Sequence, residues 1–220
     1  VLAGLQNTSR LLRAQLFPKL VMIDLSEQLL TGQSVKRGRP VKPPWSEPIP
    51  AGTCRDGVPQ VVDALGDFIG DLLLEHGVID AQLVVSLPRQ AAHWRVLDWP
   101  AGQKPGNSAK DLRALNPDLG WPFSLEQAYL DVQPLPGLSN SSLVIAAERS
   151  VVDAWVEVFA IAGISLQHLL PAQLCMMWGL REELAATSAD SLLALLQPLD
   201  QQTNLIVWNQ GVPEFERLLP

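Results

Sequence analysis

Apolar and polar positions along this chain fall into blocks whose period changes several times, and each change marks an element. In "NTSRLLRAQLF", Leu11, Leu12 and Leu16 share one helical face behind Thr8 or Ser9 as a cap, which predicts a lead-in helix within residues 1–17. "KLVMIDL" is a continuous apolar run ending in carboxylate Asp24, the pattern of a buried strand, and "QLLTGQSVKRG" can return antiparallel to it. Pro40, Pro43, Pro44, Pro48 and Pro50 each remove a ladder donor, so the following stretch is a connection or an edge strand.

The period then becomes helical. Val61, Val62, Leu65, Phe68, Ile69, Leu72 and Leu73 recur at three- and four-residue steps opposite Asp63, Asp67, Asp71 and Glu75, predicting an amphipathic helix that ends near Gly77. A strand at Leu83–Leu87, a break at Pro88 and a second strand at His93–Trp99 follow. Ser108 caps a short helix that Pro117, Gly120 and Pro122 terminate. "AYLDVQPL" and "SSLVIAAE" read as strands around the turn-rich "PGLSNS". "RSVVDAWVEVFAIAG" is a helix with Val151, Val152, Trp155, Val156, Phe159 and Ile161 as its core face and Gly163 to close it. "ISLQHLL" is a strand, Pro171 opens the helix "PAQLCMMWGLREEL", and "SADSLLALL" has the composition of one more short helix. "TNLIVWNQGVPEFERLLP" is a hairpin turning at Asn209, Gln210 and Gly211. The order predicts a mixed α/β chain in two lobes.

Composition narrows the chemistry. With 220 residues, 47% of them apolar, the chain can fill a real core. Net charge is -7, which argues against nucleic acid as a partner. The densest basic window, "VKRGRPVK", carries Lys36, Arg37, Arg39 and Lys42, and a solvated loop between strands is favoured there over a partner or lipid contact. No apolar run reaches the ~18 residues a membrane span needs, and the first residues lack the order of a signal peptide, so a cytoplasmic chain is expected. Cys54 and Cys175 lie far apart with no CxxC or Cys/His cluster, which supports neither a disulfide framework nor a zinc site. His76, His93 and His168 are scattered, and no G-x-S-x-G turn accompanies them. His76 beside Gly77 suits a helix C-terminus, and Glu182 with Glu183 suits a solvated helix face. Among seven tryptophans, Trp99 and Trp121, with Arg95, are the candidate partner-contact residues.

The arrangement resembles the PilM family of type IV pilus assembly proteins, within the actin-like superfamily that also holds FtsA and, more distantly, the cytoplasmic part of GspL. "VMIDLSEQLLTGQSV" is similar to the family's first hairpin, and "LVVSLPRQAAHWRVLDWP" matches through Pro88, Arg95 and Pro100. "WPFSLEQAYLDVQPL" matches through Pro122, Phe123, Leu125, Glu126, Ala128, Leu130 and Asp131. "LVIAAERSVVDAWVEVFAIAGISLQHLLP" matches through Ala146, Ala147, Val152, Asp153, Ala162 and Gly163. The resemblance implies an α/β, actin-like (ribonuclease H-like) subdomain 1A at 18–87 and 165–200, an inserted SHS2-like subdomain 1C at 88–164, and the opening hairpin of subdomain 2A at 201–220.

An actin-like clamp holds phosphates between two hairpins whose turns need glycine, so that backbone N–H groups can approach the oxygens, while a carboxylate holds the hydrated metal. Where the family has Asp-x-Gly, this chain has Asp24-Leu25-Ser26 in the first hairpin and Gln197-Pro198-Leu199 in the second. The proline removes a donor, the leucine blocks the turn, and Asp200 is a poor substitute for the lost carboxylate. Asp24 and Ser26 are therefore expected to be vestigial, with Asp24 a strand-end carboxylate satisfied by turn amides; no ATP, Mg or other cofactor is expected. The resemblance implies a non-catalytic cytoplasmic scaffold, peripheral to the inner membrane, that docks the cytoplasmic tail of a PilN-like protein in a groove between 1A and 1C. An actin-like ATPase and a GspL-like secretion domain are the alternatives.

Overall fold

The computed structural model describes residues 19–26, 28–36, 39–78, 81–102, 105–135, 138–164, 166–186, 191–198, 203–209 and 212–219. The expected lead-in helix lies outside them. The chain divides into two compact units, one built from residues up to Ala92 with Ala147–Cys175, the other from His93–Ala146 with Met176–Pro220.

In chain order the elements are β1 (Lys19–Leu25), β2 (Leu29–Lys36), β3 (Arg39–Pro40), β4 (Trp45–Pro48), β5 (Cys54–Arg55), β6 (Val58–Pro59), α1 (Val62–Glu75) and β7 (Ala81–Leu87), then β8 (His93–Asp98), α2 (Ala109–Leu115), β9 (Ala128–Pro134), β10 (Ser141–Glu148), α3 (Arg149–Ile161), β11 (Leu166–Pro171), α4 (Ala172–Gly179), α5 (Arg181–Ala186), β12 (Leu192–Pro198), β13 (Thr203–Asn209) and β14 (Val212–Leu219).

The first unit is built on the sheet β11-β7-β1-β2-β3, with β4 also paired to β2. β1 runs antiparallel to β2 and parallel to β7, and β11 runs parallel to β7. Alternation along β1 decides which side is core: Val21, Ile23 and Leu25 are each 2% exposed, while Met22 and Asp24 face outward. The proline-rich stretch forms the edge that its missing donors allow. α1 buries Leu65, Ile69, Leu72 and Leu73, and α3 buries Val151, Trp155, Val158 and Phe159, in one cluster with β1 and β7. The Trp155 indole donates to the Gly57 carbonyl at 2.9 Å.

The two helices approach closely because α1 has Gly66 and Gly70 where they meet. A Cβ at Gly66 would sit 2.6 Å from Ile161 Cγ2 and 3.0 Å from the Val158 carbonyl; one at Gly70 would sit 3.3 Å from Ala162 Cα. Two details of α3 depart from the sequence reading. Val156 is 46% exposed and Val158 takes its place in the core, since Trp155 and Phe159 fix the buried stripe. The helix itself packs on α1, and Ala147–Cys175 belongs to the first compact unit.

In the second unit the sheet β8-β10-β9 packs with α2 around Trp99, Leu112, Leu125, Val132 and Val144. The Ser108 hydroxyl caps α2 by accepting from the Asp111 amide, and Asn116 ends it in the left-handed region at φ 47°. A second sheet, β12-β13-β14, is antiparallel throughout. Its first strand corrects an expectation: the described part of "SADSLLALL", from Ser191 on, does not form a helix, because Leu192–Pro198 pairs along its whole length with β13. Leucine and alanine favour helix locally, and a partner strand overrides that preference. The pairing also places 176–200 with the second unit rather than with the first. One face of this sheet buries Asn204, Ile206 and Trp208, while the other leaves Leu192, Leu196 and Phe215 exposed. The single helix read over "PAQLCMMWGLREEL" is split into α4 and α5 at Leu180, and Pro171 closes β11 just ahead of α4.

Candidate functional site

Parallel strands bring their carboxyl ends to one side of a sheet, and the crevice beyond those ends is where open α/β folds place ligands. In the first unit that side is formed by β1, β7 and β11. Asp24 lies near the end of β1, opposite Thr31 of β2 and Ser86 of β7. Its side chain is exposed.

The turn after β1 is organised by Ser26. Its hydroxyl accepts from the Leu29 amide at 2.8 Å and the Gln28 amide at 3.3 Å, lies 3.2 Å from the Leu29 carbonyl, and its own amide donates to that carbonyl at 2.9 Å. This is an ST-type turn closed on itself. Two of the turn amides that are candidates to satisfy Asp24, those of Gln28 and Leu29, go to Ser26. The Gln28 and Leu29 amides of this hairpin thus already have an acceptor.

Ser86 stands beside Asp24 on β7, and Gln173 and Cys175 lie at the start of α4, which follows β11. Ser86 is 7% exposed and its hydroxyl makes no hydrogen bond. Gln173, in the first turn of α4, donates its amide to the Arg89 and Ala92 carbonyls at 3.0 and 3.2 Å, leaving its buried Oε1 without a partner. The Cys175 thiol is pushed up by burial and by the nearby Asp24 charge, only partly offset by the adjacent Ser86 hydroxyl, which lies beside it without hydrogen-bond geometry. A thiol held protonated is a poor nucleophile and a poor metal ligand at neutral pH. Among the described residues, no three of His, Cys, Asp and Glu gather to hold a metal ion. Nothing in the local sequence announces that Asp24, Ser86 and Cys175 lie near one another, since they are brought together only through the order of the strands.

The second hairpin of the expected clamp belongs to the second unit. Gln197 and Pro198 pair with Asn204 and Thr203 at the end of β12, and both are exposed. Leu199 and Asp200 lie outside the described residues. Asn204 is fully buried and donates to Glu216 Oε1 at 3.0 Å, while the Trp94 indole donates to Glu216 Oε2 at 2.9 Å. One carboxylate therefore ties β8, β13 and β14 together.

His93 sits beside this knot, its ring edge-on to Phe123 at 5.4 Å. Burial and the Arg95 guanidinium hold its pKa below the ordinary value, against the pull of Glu216. The folded state thus binds fewer protons than the unfolded chain as pH falls through the region below 6.5. Stability that is whole above that value is lost on acidification. Urea midpoints measured at neutral pH and near pH ~5 should show this fall in the wild type and a smaller one in His93→Gln.

The partner-contact candidates separate. Arg95 is exposed and its guanidinium donates to the Trp94 carbonyl at 2.8 Å. Trp99 is a correction: it is 4% exposed, lies in the core of the second unit, and donates to Ser142 Oγ at 2.9 Å, so it offers no surface. Trp121 is half-buried at the edge of that core, tilted against Phe123 at 6.0 Å, with its indole N–H buried and unpartnered. The tryptophan that does face solvent is Trp178, 73% exposed, with the Arg181 guanidinium 5.5 Å over its ring. Its signal was the run Cys175-Met176-Met177-Trp178, too continuous for one short helix to bury. His76 ends α1 as expected, its ring stacked on Trp45 at 4.1 Å.

No protein-family model matches the sequence, and no curated protein matches it. Solved structures do. A chain of the PilM–PilN type IV pilus biogenesis complex superposes with a TM-score of 0.73 at 23% identity, over 91% of this chain and 61% of that one. The cytoplasmic domain of EpsL, an inner-membrane component of the Vibrio cholerae type II secretion system, gives 0.52 at 15% identity, over 91% and 71%. A Bacteroides thetaiotaomicron protein with an actin-like ATPase fold gives 0.51 at 8% identity, over 91% and 69%. The fold is actin-like. This chain spans about three fifths of the length of the pilus-complex chain it matches, and identities this low establish fold alone. No described helix of this actin-like chain is long and apolar enough to cross a membrane.

Proposed function

We propose that this chain is a non-catalytic, PilM-like assembly module that binds the cytoplasmic tail of a PilN-like inner-membrane protein and works at the cytoplasmic side of that membrane. The likeness to a chain of the PilM–PilN complex over 91% of the residues carries the reading. The first hairpin supports the non-catalytic part. Ser26 consumes the Gln28 and Leu29 amides, and Pro198 brings no amide at all to the second hairpin. On these grounds neither ATP nor Mg is part of the proposed activity.

A synthetic PilN-like N-terminal tail should bind the purified protein, read by fluorescence anisotropy, with an extended peptide gaining backbone hydrogen bonds and apolar pockets. No binding at high micromolar peptide removes this reading. Millimolar Mg-ATP should leave the melting midpoint where it was, because only a ligand of the folded state raises it. A clear rise would favour an actin-like ATPase. The EpsL likeness supports a second reading, a secretion-system domain, which predicts binding to a type II secretion partner in place of the pilus tail.

A further inference from the structure

We propose that the paired ends of β2 and β3, with Lys36, Arg39 and Lys42, are a contact surface for the anionic headgroups of a lipid membrane. Four of the chain's sixteen Lys and Arg residues stand between positions 36 and 42, with no carboxylate among them, in a chain of net charge -7. Lys36, Arg39 and Lys42 are exposed, and Lys36 is the direct cross-strand partner of Arg39. Like charges placed opposite one another destabilise a hairpin, and among the described residues no carboxylate pairs with any of the three. The fold keeps two cations face to face and leaves the neutralising anion to come from outside.

The residues around this basic edge are tied to β2. The Val41 amide donates to the Ser34 carbonyl at 3.0 Å, Gln33 Nε2 donates to the Lys42 carbonyl at 2.7 Å, and Pro40, Pro43 and Pro44 stiffen the chain on either side. Val41, 54% exposed between Arg39 and Lys42, gives the basic edge an apolar point that suits the headgroup layer. A flat lipid surface can meet this edge alone, whereas a nucleic acid needs a longer basic track than an acidic protein supplies. At physiological ionic strength, screening beyond about 8 Å hides the acidic remainder from the membrane.

The test uses the protein alone and does not depend on tail binding. Sedimentation with vesicles of phosphatidylcholine mixed with phosphatidylglycerol should carry the protein down at low salt and release it at high salt, with none carried by phosphatidylcholine alone. Lys36→Thr and Arg39→Thr should each weaken partition about fivefold. The double variant should melt no lower than the wild type, since a like-charge pair is gone. The proposal is overturned if the wild type stays in the supernatant, if uncharged vesicles bind as well, if the double variant partitions unchanged, or if short duplex DNA binds as tightly as the charged vesicles.

Discussion

Trp155→Ala is expected to lower the melting midpoint by on the order of 10 °C, the largest effect of any single change considered. Trp155 is fully buried between α1, α3 and the small β5–β6 hairpin, and truncating a buried tryptophan costs about 3–5 kcal/mol through lost transfer energy and the cavity left behind. The indole also holds the Gly57 carbonyl, whose donor disappears with it. Gly57 has φ +77° and sits against Ala91 and Gln90, so the hairpin cannot slide inward to fill the space. Trp155→Phe separates the two contributions, because it keeps most of the ring and loses the N–H. Its midpoint should fall by about a third as much, measured by calorimetry at neutral pH. Equal losses in the two variants would place the cost in the hydrogen bond alone.

Glu216→Leu should produce the second-largest loss, about 2–4 kcal/mol, and confine it to the second unit. The substitution keeps volume but removes the acceptor for both Trp94 Nε1 and Asn204 Nδ2. Asn204 is fully buried and its Oδ1 already lacks a partner, so the variant would leave the whole amide unsatisfied. Glu216→Gln retains an acceptor for one donor and should lose about half as much. Combining Glu216→Leu with Asn204→Leu should recover part of the loss, since replacing both partners by apolar groups avoids a stranded donor. Urea unfolding followed by tryptophan fluorescence reads all three. A double variant worse than the sum of its parts would show that the knot is not the source of the cost.

The first unit was legible in the sequence because its signals are local. A continuous apolar run specifies β1, the three- and four-residue spacing from Leu65 to Leu73 specifies α1, and five prolines specify an edge. β12 was not legible because Leu192–Leu196 carries helix-favouring side chains, and only pairing with β13 makes it a strand. The home of α3 was hidden for a related reason. Whether it covers the inserted sheet or packs on α1 depends on the fit of Ile161 and Ala162 against Gly66 and Gly70, about ninety positions earlier in the chain.

The candidate site divides the same way. Asp24 and Ser26 stand out in sequence only through the resemblance of their hairpin, and the hydroxyl of Ser26 then does what a side chain next to free amides does. Ser86 and Cys175 come near Asp24 only because three parallel strands end together, a relation no spacing along the chain encodes. Trp99 shows the opposite error. Tryptophan favours interfaces on average, but a buried hydroxyl at Ser142 gave this one a reason to face inward.

The sheet of the second unit shows leucine and phenylalanine to water on the side opposite Trp208. A thin slab that is oily above and below rests comfortably only when something roofs it, so in dilute aqueous buffer this surface governs how the protein behaves in the tube. Preparations will tolerate crowding on a concentrator poorly until that side is given company.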